Sequence, residues 1–129
     1  MKIFLTGGTG QVGYELQRSL SLYGEISAPT SQELDLSNLQ ATAEYIEQLK
    51  PDLIVNAAAW TAVDAAESEP KDAYSLNTEL PRQLADYAKK HNIWLIHYST
   101  DYVYPGDGSA PWREDSPTGP LSVYGSSKL

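Results

Sequence analysis

The chain has 129 residues and a formal net charge of -8, from 9 Lys and Arg against 17 Asp and Glu. That length suits one domain of ordinary size, and 41% apolar with 20% charged residues excludes a disordered chain. The absence of cysteine removes disulfide scaffolds, zinc–thiolate sites and cysteine nucleophiles together. The acidic balance speaks against nucleic-acid or anionic-membrane partners, which are held by clustered Lys and Arg. It does not speak against a nucleotide, because a helix N-terminus holds phosphate with backbone N–H groups.

Short β-like runs alternate with helical stretches. Lys2 to Thr6 reads as a compact strand, followed by glycines and a helix from about Gln11 to Tyr23 with Val12, Leu16, Ser19, Leu20 and Tyr23 on one face. A weak second strand covers Glu25 to Ala28. Ser37 is the expected N-cap of a helix from Asn38 to Leu49, closed by Pro51. Asp52 to Asn56 reads as a buried strand, Lys71 to Lys90 as a helix interrupted near Asn77 to Pro81, and Ile93 to Tyr98 as another buried strand. Pro105 to Pro120 has loop composition, and Leu121 to Leu129 opens a further helix. This alternation predicts an α/β domain over residues 1–129: a Rossmann-type, doubly wound parallel sheet. The apolar runs are far shorter than the ~20 residues that cross a bilayer. Met1-Lys2 leads straight into Ile3-Phe4-Leu5 with no signal-peptide core, so the expected location is cytoplasmic.

Gly7, Gly10 and Gly13 form G-x-x-G-x-x-G between the first strand and the first helix, the context a dinucleotide-binding turn requires. Gly7 permits the tight strand exit, Gly10 the approach of a pyrophosphate, and Gly13 the close packing of helix on sheet. Gln11 and Val12 complete the turn. At the end of the second strand, where an acidic residue commonly holds the ribose 2′-hydroxyl, the chain offers Pro29-Thr30-Ser31. NADPH is therefore permitted alongside NADH, with no cation selecting it. Asp35 and Leu36 either bracket the adenine or lead into the next helix. Ala57, Ala58 and Ala59 after the third strand are either a low floor under a nucleotide or ordinary core.

Tyr124 and Lys128 stand four residues apart on the expected last helix. A phenol is a weak acid at neutral pH, and a neighbouring ammonium favours its ionised form. Ser99-Thr100-Asp101 ends the apolar strand Ile93 to Tyr98, at the carboxyl edge where ligands bind in such sheets. Asp101 is either a polar substrate contact or a cap. Glu67 and Glu69 read as a solvated helix end rather than metal ligands, and His91 and His97 as structural.

A hydroxyl, a tyrosine and a lysine downstream of this glycine turn resemble the short-chain dehydrogenase/reductase family. The runs His97 to Gly106, Asn56 to Asp64 and Pro120 to Gly125 narrow the resemblance to the dTDP-4-dehydrorhamnose reductases over the whole chain. It implies NAD(P)H-dependent reduction of the C4 ketone of dTDP-4-dehydro-L-rhamnose. Thr100, Tyr124 and Lys128 would be catalytic: Thr100 binding the ketone, Tyr124 supplying the proton and Lys128 holding the nicotinamide ribose. Ala57 to Ala59, Trp60 and Thr61 would line the cofactor site, and Thr100 with Asp101 would contact the dTDP-sugar. A nucleotide-sugar dehydratase or epimerase fits less well, since Tyr102 stands where the dehydratases carry an acid–base carboxylate. A nucleotide-binding regulatory subunit is the other alternative. Members of the family run to about twice this length and often dimerise, some with Mg²⁺ at the subunit contact. The expectation is therefore a reductase lacking its C-terminal substrate-binding part, retaining some of the cofactor site and little turnover.

Overall fold

In a computed structural model that describes residues 1–129, four parallel strands form one sheet: β1 (Lys2–Thr6), β2 (Glu25–Ser27), β3 (Leu53–Asn56) and β4 (Trp94–His97). The order is β2-β1-β3-β4. The chain leaves β1 toward β2, then crosses to β3 on the other side, so the carboxyl ends of β1 and β3 flank the point where the winding reverses. In open α/β sheets that crevice is where ligands bind.

Alternating side chains feed two cores, as the pleat dictates. Ile3, Leu5 and Val55 point to the face covered by α1 (Gln11–Leu20), where Leu16 and Leu20 pack on them. Phe4 and Ile54 point to the other face, beneath α2 (Leu39–Leu49) and α5 (Leu80–His91), with Ile46, Leu80 and Leu84. Helices on both faces make the sheet doubly wound, as expected.

Several boundaries differ from the sequence reading. The first helix stops at Leu20, and Val12 and Tyr23, expected on its buried face, are exposed. Residues 21–23 form a turn, which releases Tyr23 from the helical register. The N-cap of α2 is Asn38, whose side chain accepts a hydrogen bond from the Ala41 N–H at 3.0 Å, while Ser37 donates to Asp35 instead. Two short helices, α3 (Val63–Ser68) and α4 (Pro70–Tyr74), precede a π-helical turn at Ser75–Glu79 that runs into α5. The expected interruption is thus a widened turn inside a continuing helix, and α3 lies outside the predicted range.

The strand β4 is not buried. Trp94 is 80% and Ile96 44% exposed, because both point to the α1 side, where no helix of this chain reaches β4. Leu95, on the other face, packs against the α5 core. A 3-10 turn at Asp101–Val103 and the helix α6 (Val123–Lys128) follow, separated by a loop in which Tyr104 and Trp112 stack at 5.1 Å.

Polar side chains tie together the carboxyl ends of three strands. Thr6 donates its hydroxyl hydrogen to Asn56 Oδ1 and accepts the Ala58 N–H at 3.2 Å. With Oδ1 so engaged, Asn56 Nδ2 donates to His97 Nδ1 at 3.0 Å, which fixes the neutral Nε2–H tautomer. Partial burial holds the His97 pKa below its usual value, and the Lys128 ammonium pushes it the same way.

Two outcomes follow. His97 binds a proton more readily unfolded than folded, so its contribution to stability is complete above about pH 6.5. It should be lost as pH falls through the lower folded pKa. Urea midpoints measured across mildly acidic pH should show this slope in the wild type and lack it in His97→Gln. The glycines should separate as well. A Cβ on Gly13 would sit 2.0 Å from the Gly7 carbonyl oxygen, whereas one on Gly10 would meet that oxygen at 3.3 Å and nothing else within 4 Å. Urea unfolding should show Gly13→Ala losing about 2–3 kcal/mol and Gly10→Ala less than about 1 kcal/mol. Equal losses would contradict this account of the turn.

Candidate functional site

The turn after β1 is pressed against the turn after β3. Gly7 has φ +70°, and a Cβ there would lie 2.6 Å from the Ala58 nitrogen and 2.7 Å from the Ala57 carbonyl carbon. Only glycine relieves both the backbone angle and this contact. The Gly10 N–H closes the turn on the Gly7 oxygen at 3.0 Å, and Gln17 of α1 braces it by donating to the Gly8 oxygen at 2.9 Å. Nothing in the motif pointed to Gln17.

Above the two turns lies a cleft of about 700 Å³. Gly7, Gly10, Gln11 and Val12 form one wall, and Ala57, Ala58, Ala59 and Thr61 another. Pro29, Ser31, Leu34, Asp35 and Leu36 close the far end. Asp35 lines the cleft, and its carboxylate accepts the Ser37 hydroxyl at 2.7 Å and the Ser37 N–H at 2.9 Å, which lower its pKa. Gly13 lies behind the turn, buried under Gly7, and is a packing residue of the site rather than a lining one.

The cleft suits a dinucleotide phosphate on physical grounds. The N-terminus of α1 has Gly10 as its N-cap, no side-chain cap and no acidic residue in its first turn. Its first N–H groups and the positive end of its dipole therefore face the cleft without competition. Gly10 is the position where a Cβ would fill the cradle while internal packing hardly forbids it.

Trp60 is in neither wall. Its indole N–H donates to the Ala62 oxygen at 3.1 Å, and its backbone turns away to Asn77. The remaining candidates sit on the flank beyond β4. Thr100 caps the 3-10 turn by accepting the Tyr102 N–H at 3.2 Å. The helix α6 lies against that turn because Gly125 is there: a Cβ would come 2.3 Å from the Tyr102 oxygen. Ser122, not visible as a site residue from sequence, caps α6 by accepting the Gly125 N–H at 3.0 Å. The close approach sets the Tyr124 ring edge-on to Tyr102, with centroids 5.4 Å apart.

Lys128 is half-buried, and burial lowers its pKa. Its ammonium donates to the Tyr98 oxygen at 2.6 Å, at the end of β4, rather than to Tyr124. Asp101, also expected to touch substrate, lines a second cavity of about 300 Å³ with Tyr102, Tyr104, Trp112 and Leu121. The structure thus gathers the expected residues into two neighbouring groups, one around the glycine cleft and one on α6 and the turn after β4.

The family model for the RmlD substrate binding domain matches residues 1–129. The dTDP-4-dehydrorhamnose reductase of Salmonella typhimurium is 52% identical over 133 residues, covering 100% of this chain and 44% of that protein. The chain thus spans under half the length of such curated relatives. Among solved structures, a dTDP-4-dehydrorhamnose reductase from Clostridium acetobutylicum superposes with a TM-score of 0.92 at 36% identity, over 99% of this chain and 46% of that one. One from Bacillus anthracis, solved in complex with NADP, gives 0.91 at 32% identity over 98% and 46%. With that model matching residues 1–129, the chain belongs to the RmlD substrate binding domain family, alongside dTDP-4-dehydrorhamnose reductases.

Proposed function

We propose that this chain carries the cofactor site and the proton donor of an NAD(P)H-dependent reductase acting on the C4 ketone of dTDP-4-dehydro-L-rhamnose. The observation that carries the reading is the uncapped N-terminus of α1 over a floor of alanines, beside a helix with Tyr124 and Lys128. The Gln11, Val12 and Gly13 N–H groups would receive the pyrophosphate. Ala57 to Ala59 keep the floor low, and Asp35 and Leu36 bound the adenosine end. No carboxylate at residues 29–31 opposes a 2′-phosphate and no cation there requires one, so both NADPH and NADH are accommodated.

When bound, the reduced nicotinamide supplies a hydride to the ketone carbon. The chain's own residues manage the charge that then develops on oxygen. The Thr100 hydroxyl donates a hydrogen bond to that oxygen and Tyr124 transfers its phenolic proton to it. Lys128, anchored on the Tyr98 carbonyl, would hold the nicotinamide ribose. Asp101 is the polar contact on the sugar side.

The reduction is tested in a chimera in which this chain replaces the matching N-terminal portion of the Salmonella typhimurium reductase. The chimera should oxidise NADPH in the presence of dTDP-4-dehydro-L-rhamnose. Tyr124→Phe should lower kcat by at least about 100-fold with NADPH affinity retained. A chimera that folds and binds NADPH yet leaves the ketone unreduced, or a Tyr124→Phe variant at full rate, would refute the assignment.

A further inference from the structure

The cleft is a poor host for additional negative charge at its far end. No Lys or Arg lines it, and Asp35 is the one charged residue in its walls. The one cation of α1, Arg18, pairs with Glu15 at 2.8 Å. The segment that closes the far end is a tight turn, in which the Thr30 oxygen accepts the Glu33 N–H at 3.0 Å and the Leu34 N–H at 2.9 Å. Leu34 is buried with Phe4 and Ile46, and this anchor fixes the turn. Glu33, one residue earlier, is exposed and yet has a defined place.

That place is set by Thr30. Glu33 folds back so that its Oε2 accepts the Thr30 N–H at 2.8 Å and the Thr30 hydroxyl at 2.9 Å. Locally this is a capping arrangement that closes one turn. Its wider effect is electrostatic. The residues that follow the second strand of such a sheet are the ones that meet the adenosine ribose, and here Ser31, next to Thr30, lines the cleft. The Thr30 N–H and hydroxyl are donors an arriving phosphate would otherwise take, and a carboxylate already holds both. The same two bonds keep the Glu33 pKa below its ordinary value, as the bonds from Ser37 do for Asp35. Two carboxylates, both ionised at neutral pH, therefore bracket Ser31 and Leu34 in sequence.

We propose that Glu33 is a specificity-determining residue of the cofactor cleft, setting NADH above NADPH by occupying the Thr30 donors and opposing a 2′-phosphate. The inference rests on the reading that the cleft takes the adenosine half of a nicotinamide dinucleotide at residues 29–36. NADPH enters the same cleft more weakly, because its 2′-phosphate carries about two negative charges where NADH has a hydroxyl. A hydroxyl can donate to a neighbouring carboxylate, whereas a phosphate dianion has no hydrogen to give and is repelled.

Calorimetric titration of the 129-residue chain with NADH and with NADPH, at low ionic strength, tests the inference and the underlying reading separately. Wild type should bind NADH at least about tenfold more tightly than NADPH. Glu33→Gln leaves an oxygen for Thr30 and removes the charge. It should tighten NADPH by at least about threefold with no gain for NADH. Glu33→Ala also releases the two Thr30 donors and should tighten NADPH further. Added salt should narrow the wild-type ratio of affinities more than that of Glu33→Gln. A residue that merely caps the turn would give variants that lose both nucleotides in equal proportion. That result, or equal affinities in wild type, would overturn the inference while the cofactor reading stands. A folded wild-type chain that binds neither nucleotide would overturn the cofactor reading, and this inference with it.

Discussion

The candidate cofactor cleft depends on one close approach, that of the turn after β1 to the turn after β3. The Gly7 backbone lies where any side chain would strike the Ala57–Ala58 peptide, and Thr6 bridges the same gap by donating to Asn56 and accepting from Ala58. The connections that follow β1 and β3 leave in opposite directions from this point. The contact closes the two turns into a single shelf with the N-terminus of α1 above it. Gly13 then lets α1 sit directly on the turn, so the helix dipole points across the shelf rather than past it.

The second requirement is that a short helix, far along the chain, be set beside that shelf. No long apolar face does this. The helix α6 has one turn and a half, an omitted side chain at Gly125 and a set of hydrogen bonds to its backbone. Backbone-directed bonds from Glu67 and Thr78 suit such a task, because they fix position without specifying what α6 displays. Dispersion packing is left to the two cores, and the site is held by polar contacts whose geometry is directional.

The architecture was legible in the sequence because strand and helix periods alternate cleanly and the glycine turn falls at the one junction where it has mechanical meaning. The cleft walls were legible for the same reason, down to Asp35 and Leu36. Contacts between residues about 50 positions apart were not. Nothing local marks Glu67 as the acceptor for Val123, or Asn77 as the partner of both Trp60 and Ser127, since each is one polar residue on a helix. Strand burial misled as well. Ile93 to Tyr98 is apolar on both faces, yet Trp94 and Ile96 stand open, because composition reports what a strand is suited to pack against rather than what covers it in this chain. The short helix α3 escaped notice because its alanines carry little periodic signal.

The central claim is that the shelf and the α1 N-terminus bind a dinucleotide through Gly10, a glycine that internal packing scarcely requires. Calorimetric titration of the 129-residue chain with NADPH addresses it most directly, with Gly10→Ala as the paired control. The account predicts saturable binding at one site in the wild type, weakened at least about tenfold in a Gly10→Ala chain of near-unchanged stability. A folded wild-type chain that takes up no NADPH, or a Gly10→Ala chain that binds it equally well, would contradict the account.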